Sequence, residues 1–362
     1  MSDSNSLKLH IALPRDFSKP VDDPYNRHWH EEPFISVDTQ VIADMNLHRP
    51  LNWVRYLGFT IVGEPGELSS SKDSIVAPGP LSFDTTTILY FHTRGLVNPA
   101  DFRAGATETS TQVSGSRCAE FASDVSERDG RCFFTSRVPL SCDAVHLIRH
   151  NKGDNYIDMA TNSTVSTIDD PRNGLLLNIV VHRFLGLNLC AILHTPNMYM
   201  ISTDVHNNYP AMQRMLTLQH FRSLESEHDL CPPNCTKPIP DSPTFPPLVI
   251  FDFCYGSAAL KAWGNPAFLG DALAESQSSY YTGGQQALQE RKAHKDQQRK
   301  RNKHSRNAHD NAAQGMEIDA WDVLLMFRGK YFEVPVDDNP ERGTGCPKEV
   351  HEKVSSWLES SD

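Results

Sequence analysis

The sequence feature that most restricts the fold of this chain is an apolar run at residues 175–185, LLLNIVVHRFL. The run follows a polar loop at 152–171 and the dipeptide Asn173–Gly174, which is typical of a turn. Five of its apolar side chains fall on one face when the run is drawn as a helix: Leu176, Val180, Val181, Phe184 and Leu185. We therefore predict that residues 175–185 form a helix that packs its apolar face on neighbouring strands.

Other short elements are predicted on both sides of this run. Before it, alternation and turn residues predict a helix at 120–128 and strands at 132–135 and 144–148. After it, residues 187–193 and 197–202 alternate around a turn at 194–197, which predicts a hairpin. The central part of the chain therefore has the predicted order strand, strand, loop, helix.

The chain is long enough for two globular parts and tails, because it has 362 residues of which 39% are hydrophobic. Near the N-terminus we predict a helix at 51–57 and a strand at 86–91. Seven prolines predict a linker at 231–247, and residues 249–264 could supply a strand and a helix. The predicted class is α+β, with five segments: an N-terminal region (1–116), a central domain (117–206), an extension (207–285), a basic segment (286–312) and an acidic C-terminal segment (313–362).

Three polar residues stand out on the central strand, strand, helix unit: His146, Asn173 and His182. Taken singly, each has a structural explanation: a hydrogen-bonded core histidine, a turn asparagine and a surface histidine. An asparagine at the start of a helix and a histidine about two and a half turns along it can both face one strand. A metal ion and a general base could then share one cleft.

At these residues the sequence resembles the HNH endonuclease family, and in particular the HNH proteins abundant in fungi. The words that carry the resemblance are RDGRCFFTS, CDAVHLIRHNKGD and DDPRNGLLLNIVVHR, in that order, and the spacing from Asn173 to His182 agrees with the family. The resemblance covers residues 117–206 and extends more weakly to LTLQHF and FDFCYGSAALKAWG. It implies a ββα-metal core inside the larger α+β chain, in which a hairpin and a helix hold one divalent cation against a phosphodiester.

The resemblance also implies a role for each of the three residues. His146 would be the general base, neutral near pH 7 because the ordinary histidine pKa is about 6.5, and would take a proton from the attacking water. Asn173 would brace the hairpin loop and orient that imidazole, and His182 would bind the cation. Mg²⁺ or Mn²⁺ is the expected ion, although a histidine ligand also admits Zn²⁺, Ni²⁺ or cobalt.

One position departs from the family pattern. Many members carry an Asp or His immediately before the base as a second metal ligand, whereas this chain has Val145 there. Asp143 is the nearest carboxylate, and it shares a strand face with Val145 because side chains alternate along a strand. Asp143 is therefore the candidate replacement ligand. Cys142, His150 and His194 are further candidates, each with a simpler explanation as a buried thiol, a loop residue and a turn residue.

Other motifs are weaker. His228, Cys231 and Cys235 could begin a zinc site, but no second Cys or His pair follows at zinc-ribbon spacing, and no CxxC pairs flank the central domain. The sequence has neither a GxxxxGK[ST] phosphate loop nor a GxSxG elbow, which disfavours NTPases and serine hydrolases. It has no apolar run of 18 residues and no apolar N-terminal stretch, so we predict an intracellular protein without a membrane span.

The charge is unevenly distributed along the chain. The formal net charge is -11, yet residues 291–306 hold eight basic side chains against one acidic, a net of +7. This stretch could bind phosphates without reading sequence, and Lys300, Arg301 and Lys303 fit a short nuclear-import signal. A solvated linker is the alternative interpretation. The central segment 117–206 is near neutral, at -2.

Three functions follow from the sequence, of which the first is favoured. It is a metal-dependent HNH-type endonuclease that cuts or nicks DNA with low sequence specificity through water activated by His146. The second is a catalytically weakened relative that binds nucleic acid or a protein partner, a reading prompted by Val145. The third is a structural interaction protein whose histidines are simply packed.

Overall fold

The computed structural model describes residues 5–22, 25–81, 85–101, 104, 117–206, 208–222 and 231–267. All of them lie in one compact unit. The described part of the chain is a mixed α+β structure with several sheets and six helices. None of the helices in these ranges is both long enough and apolar enough to cross a lipid bilayer.

The N-terminal region contains a four-stranded sheet and the helix predicted near residue 51. Its elements are β1 (Ser6–Ile11), β2 (Leu13–Pro14), β3 (Arg27–His28), β4 (Ile35–Asp38), α1 (Thr39–Asp44), α2 (Pro50–Val62), β5 (Gly66–Ser69) and β6 (Thr87–Thr93). The strand order is β4-β1-β6-β5, with only the β1–β6 pair parallel, and β2 pairs with β3 separately. The predicted helix at 51–57 and the predicted strand at 86–91 are confirmed, within α2 and β6 respectively.

The central segment places a helix on each side of a two-stranded hairpin. Its elements are α3 (Arg117–Asp129), β7 (Cys142–His146), α4 (Asp154–Ala160), β8 (Gly174–Asn178) and α5 (Ile179–Gly186). Strands β7 and β8 are antiparallel, and His146 is opposite Gly174 at one end. The predicted helix at 120–128 is confirmed as α3, and the strand predicted at 144–148 overlaps β7.

Two predictions in this segment are wrong. Residues 132–135 form a turn instead of the first strand, and the partner of β7 is β8, the start of the run predicted to be wholly helical. The switch to helix occurs at Asn178, whose side chain accepts a hydrogen bond from the backbone N–H of Val180 and so caps α5. Strand β8 is buried at every position, and a short fully apolar strand cannot be told from a helix by periodicity alone.

Three later predictions also need correction. The last elements are β9 (Cys190–Thr195), β10 (Met215–His220), β11 (Cys235–Pro238) and α6 (Leu248–Trp263). Strand β9 pairs with β10 and not with 197–202, because the Asn197 side chain accepts hydrogen bonds from two following backbone N–H groups and bends the chain. The proline-rich stretch 231–247 contains β11, and residues 249–263 are all helical and include no strand.

The largest core combines residues from three of the predicted segments. Leu9 from β1, Leu193 from β9 and Tyr255 from α6 belong to the same buried cluster. Helix α6 packs closely on α2, where a Cβ at Gly256 would overlap the backbone carbonyl of Thr60. The β7–β8 hairpin belongs to a second buried cluster, in which Val145 and Leu175 lie with Ile192 of β9, Leu216 of β10 and Phe251 of α6. The five-segment boundaries themselves stay a prediction.

Candidate active site

The two faces of the β7–β8 hairpin pack against different helices. On one face Ala144 packs with Phe121 and Val125 of α3 and with Leu176 of β8. On the other face Val145 packs with Leu175, Leu177 and Val181, the last of which lies on α5. Because side chains alternate along a strand, His146 lies on the α3 face and Asp143 on the α5 face.

His146 sits in a half-enclosed pocket on the α3 face. Its ring stacks on the ring of Phe121, with centroids 3.6 Å apart and an angle of 9° between the planes. Its Nε2 lies 3.1 Å from Oδ1 of Asp169, and the Nε2 of His150 lies 3.5 Å from the same oxygen. The His146 side chain is 15% exposed. The candidate base therefore has a carboxylate neighbour and an aromatic cover.

This environment sets the protonation state of His146. Burial lowers the pKa of His146 to about 4; the hydrogen bond and negative charge of Asp169 oppose that shift, and the neighbouring His150 adds to it. The imidazole is therefore neutral at pH 7, as a general base must be before it accepts a proton. When its proton is on Nε2 and is donated to Asp169, the lone pair is on Nδ1.

Asn173 is completely buried at the start of β8 and braces the loop that follows β7. Its Oδ1 accepts a hydrogen bond from the backbone N–H of Ile148 at 2.9 Å. Its Nδ2 donates to the carbonyl oxygens of Ile148 at 2.7 Å and Ile168 at 2.9 Å. These bonds link the two ends of the loop that carries His150 and Asp169.

On the opposite face, Asp143 and His182 are in direct contact. Oδ2 of Asp143 lies 2.8 Å from Nδ1 of His182, and each side chain is 45% exposed. His182 lies in the second turn of α5, which starts immediately after β8, so the Asn178 cap determines where this imidazole meets β7. The contact brings together the two residues predicted as metal ligands.

The pair fits part of a divalent-cation site. Two donors bound at right angles to a cation at about 2.1 Å are about 3 Å apart, close to the observed separation. A carboxylate oxygen and an imidazole nitrogen suit Mn²⁺ and Zn²⁺, and Mg²⁺ is commonly held by one or two carboxylates with water and phosphate oxygens completing its shell. In the described ranges, no group of three or more His, Cys, Asp or Glu side chains is arranged to hold a metal ion. Among the described residues, Asp143 and His182 are the pair that would hold a cation.

His146 is separate from this pair. Asp143 is three residues before His146, which is about 10 Å along a strand, and their side chains leave opposite faces. No contact joins His146 to Asp143 or His182 within the described part of the chain. The expected single cleft is therefore replaced by two clusters, one on each face of the hairpin.

Arg128 and Asp129 at the end of α3 hold this helix over the His146 cluster, and Gly174 of β8 lets the helix come close. The guanidinium of Arg128 binds the carboxylate of Asp129 at 2.6 Å and donates to the carbonyl oxygens of Pro171 and Gly174. Asp129 accepts from the backbone N–H of Leu176 at 2.7 Å. A Cβ on Gly174 would lie 2.5 Å from the Phe121 ring, so only glycine allows this close approach.

Comparison with known proteins supports one family. Residues 130–195 match the family model described as HNH endonuclease, a stretch that includes β7, α4, β8, α5 and β9. We call these matched residues, 130–195, the HNH segment. No curated protein and no solved structure matches the chain significantly. The resemblance recognised in the sequence is thereby confirmed for the HNH segment and for no other part of the chain.

The remaining candidates lie elsewhere or have other contacts. Cys142 lies on β7, where its thiol donates to the carbonyl oxygen of Val138, and His194 is 5% exposed and pairs with Asp252 of α6. Cys231 contacts His220 at 3.4 Å, and the thiol of Cys235 donates to the carbonyl oxygen of Phe134. His228 and the basic residues Lys300, Arg301 and Lys303 lie outside the described residues.

The sequence patterns did not predict two residues that contact His146, which are Asp169 of the HNH segment and Phe121 of α3. Asp169 is the first residue of the matching word DDPRNG, and Phe121 belongs to a helix predicted only as a helix. A carboxylate in a loop that ends at Asn173 is a usable signal, because loops on rigid scaffolds carry many functional residues. The stacking of Phe121 on His146 depends on helix packing that no local pattern reports.

Proposed function

We propose that the chain is an HNH-type endonuclease that hydrolyses phosphodiester bonds of DNA with a divalent metal ion and His146 as general base. The single observation that carries the proposal is the HNH match at residues 130–195, which contains all four candidate site residues. The Asp143–His182 contact and the loop bracing by Asn173 agree with the roles that the resemblance assigns. Low sequence specificity is part of the proposal.

Each residue then has a defined task. Neutral His146 takes a proton from water at Nδ1, the water oxygen bonds to phosphorus, and the ester P–O bond to the leaving sugar oxygen breaks. Asp143 and His182 would hold the cation, which when bound neutralises charge on the phosphate. Asn173 maintains the loop that carries Asp169. The proposed ion is Mg²⁺ or Mn²⁺, and Zn²⁺ or Ni²⁺ would fit the same donors.

A specific observation favours the second candidate, a catalytically weakened HNH protein that binds nucleic acid or a protein partner. Val145 is buried in the core at the position where many family members have a ligand, and the base and the ligand pair are on opposite faces. One phosphodiester would have to reach both clusters around the end of the hairpin. Retained binding without cleavage is the expected behaviour of this candidate.

A plasmid-nicking assay separates the two candidates. The full chain is incubated with supercoiled DNA and Mg²⁺, Mn²⁺ or Ni²⁺, and wild type is compared with His146→Ala and His182→Ala. The endonuclease proposal expects metal-dependent nicking that falls by about 10²-fold or more in each variant. His48→Ala is the matched control, because His48 is exposed in the N-terminal region and makes only a backbone contact.

The outcomes are distinct. Nicking that survives both site substitutions would contradict the roles proposed for His146 and His182. Such nicking would come from other residues or from a contaminating nuclease. DNA binding, measured by fluorescence anisotropy, without nicking under any of the three metal ions would favour the weakened HNH protein. Loss of activity in His48→Ala would indicate a general folding defect.

A further inference from the structure

We propose that Asp169 is a positioning residue for His146: its carboxylate accepts the Nε2–H of the imidazole, which holds the ring against Phe121 and leaves Nδ1 to receive the proton from water. The inference rests on the proposed function for the second half of that statement. The first half concerns only the ring and its neighbours. It assigns a task to Asp169, the first aspartate of the DDPRNG motif.

The position of Asp169 is fixed by its backbone neighbour. Ile168 donates its N–H to the carboxylate of Asp154 at 2.7 Å, and its carbonyl oxygen accepts from Asn173 at 2.9 Å. Its side chain is 5% exposed. Because both backbone groups and the side chain of Ile168 are held, the next residue has little freedom to move its carboxylate away from β7. Asp169 is therefore pre-positioned and not a mobile surface acid.

The imidazole is restrained from two further sides. Phe121 covers one ring face, and His150 approaches at 5.6 Å between ring centroids in an edge arrangement. Both histidines direct Nε2 at Oδ1 of Asp169, at 3.1 and 3.5 Å, and the closer contact belongs to His146. One carboxylate oxygen thus faces two imidazoles. The more buried ring has the better hydrogen-bond distance, so the tautomer of His146 is the one that Asp169 fixes.

The two carboxylates of DDPRNG have different tasks. Asp170 faces its own loop: its oxygens accept from the backbone N–H and the guanidinium of Arg172. Asp169 contacts the two histidines instead. Adjacent side chains of the same type thus serve the loop and the imidazole separately.

The test begins with the tautomer, measured by ¹⁵N NMR of histidine side chains in the full chain at pH 7. Wild type is expected to show neutral His146 with the proton on Nε2. Asp169→Ala should give a mixture of tautomers, because no acceptor fixes the ring. Asp169→Asn keeps an acceptor oxygen and should retain the wild-type tautomer, and Asp158→Asn, which makes the same charge change on α4, should leave the spectrum unchanged. An unaltered tautomer in Asp169→Ala would overturn the inference.

Nicking assays on the same proteins give the second readout. The expected order of kcat is wild type, Asp169→Asn, Asp169→Ala, with a loss of about 10- to 100-fold for alanine and an unchanged KM. An increase in KM with an unchanged kcat would contradict the positioning role. If none of the proteins cleaves DNA while the tautomer still depends on Asp169, the proposed function fails and the positioning role stands. If wild type cleaves and Asp169→Ala is as active, the positioning role fails and the function stands.

Discussion

The two faces of the β7–β8 hairpin are built from the same two strands but expose their polar residues very differently. On the α5 face, Asp143 and His182 are each nearly half exposed and contact one another. On the α3 face, His146 is 15% exposed beneath Phe121, and burial lowers its pKa. An exposed ligand pair can exchange water for a cation at little cost, whereas a covered imidazole stays neutral. In the proposed function, one hairpin would thus separate metal binding from proton transfer.

The largest expected effect comes from removing the exposed pair. The double substitution Asp143→Asn and His182→Ala should abolish metal-dependent nicking, a loss of at least about 10²-fold, because both protein ligands are lost. Titration of the full chain with Mn²⁺, followed by electron paramagnetic resonance, should show weaker binding by a similar factor. His146→Ala is the comparison variant and should bind Mn²⁺ as wild type does. Equal loss of Mn²⁺ binding in His146→Ala would mean that the two faces form one site.

The covered face makes a prediction about stability and pH. His146 has an ordinary pKa near 6.5 when unfolded and about 4 when folded, so the unfolded chain binds the extra proton between these values. Stability should therefore decrease as pH falls from about 6.5 to 4, by up to about 3 kcal/mol. Urea unfolding at pH 7 and at pH 4.5 measures this change. His146→Gln should remove the contribution of His146 to this decrease in stability. An equal decrease between pH 7 and pH 4.5 in that variant would show that other groups are responsible.

How far the sequence alone leads differs between the two faces. Helix α3, helix α2 and strand β6 were predicted because their periodicity is local. Strand β8 was predicted as helix, because three leucines in a row between a glycine and an asparagine satisfy both patterns. Its capping residue, Asn178, was the available signal. Asp143 is predicted because side chains alternate along a strand. Asp169 is not predicted, because its contact with His146 depends on the path of the long loop between β7 and β8.

The close approach of α3 offers a test of the cover itself. Gly174→Ala would place a methyl group 2.5 Å from the Phe121 ring and 2.8 Å from Val125, so α3 must move away from β8. We expect a destabilisation of about 1–3 kcal/mol in urea unfolding, together with a pKa of His146 that moves toward its ordinary value as the ring becomes solvated. Mn²⁺ binding at Asp143 and His182 should be unchanged. A simultaneous loss of Mn²⁺ binding would mean that the two faces are mechanically coupled.

The smallest effect concerns how either face meets DNA. The segment that carries both faces has a net charge of -2, so it offers little attraction to a polyanion, whereas residues 291–306 carry +7. Replacing Lys300, Arg301 and Lys303 by alanine should weaken DNA binding several-fold at low salt and reduce the slope of log affinity against log salt by about 3, one unit for each phosphate contact. The same residues are predicted to support nuclear import. Fluorescence anisotropy at several salt concentrations measures the slope, and Lys237→Ala, on the edge strand β11, is the matched control. An unchanged slope would place the phosphate contacts elsewhere on the chain, and substitution of the Arg and Lys residues of the HNH segment would then test whether the hairpin lies in the DNA interface.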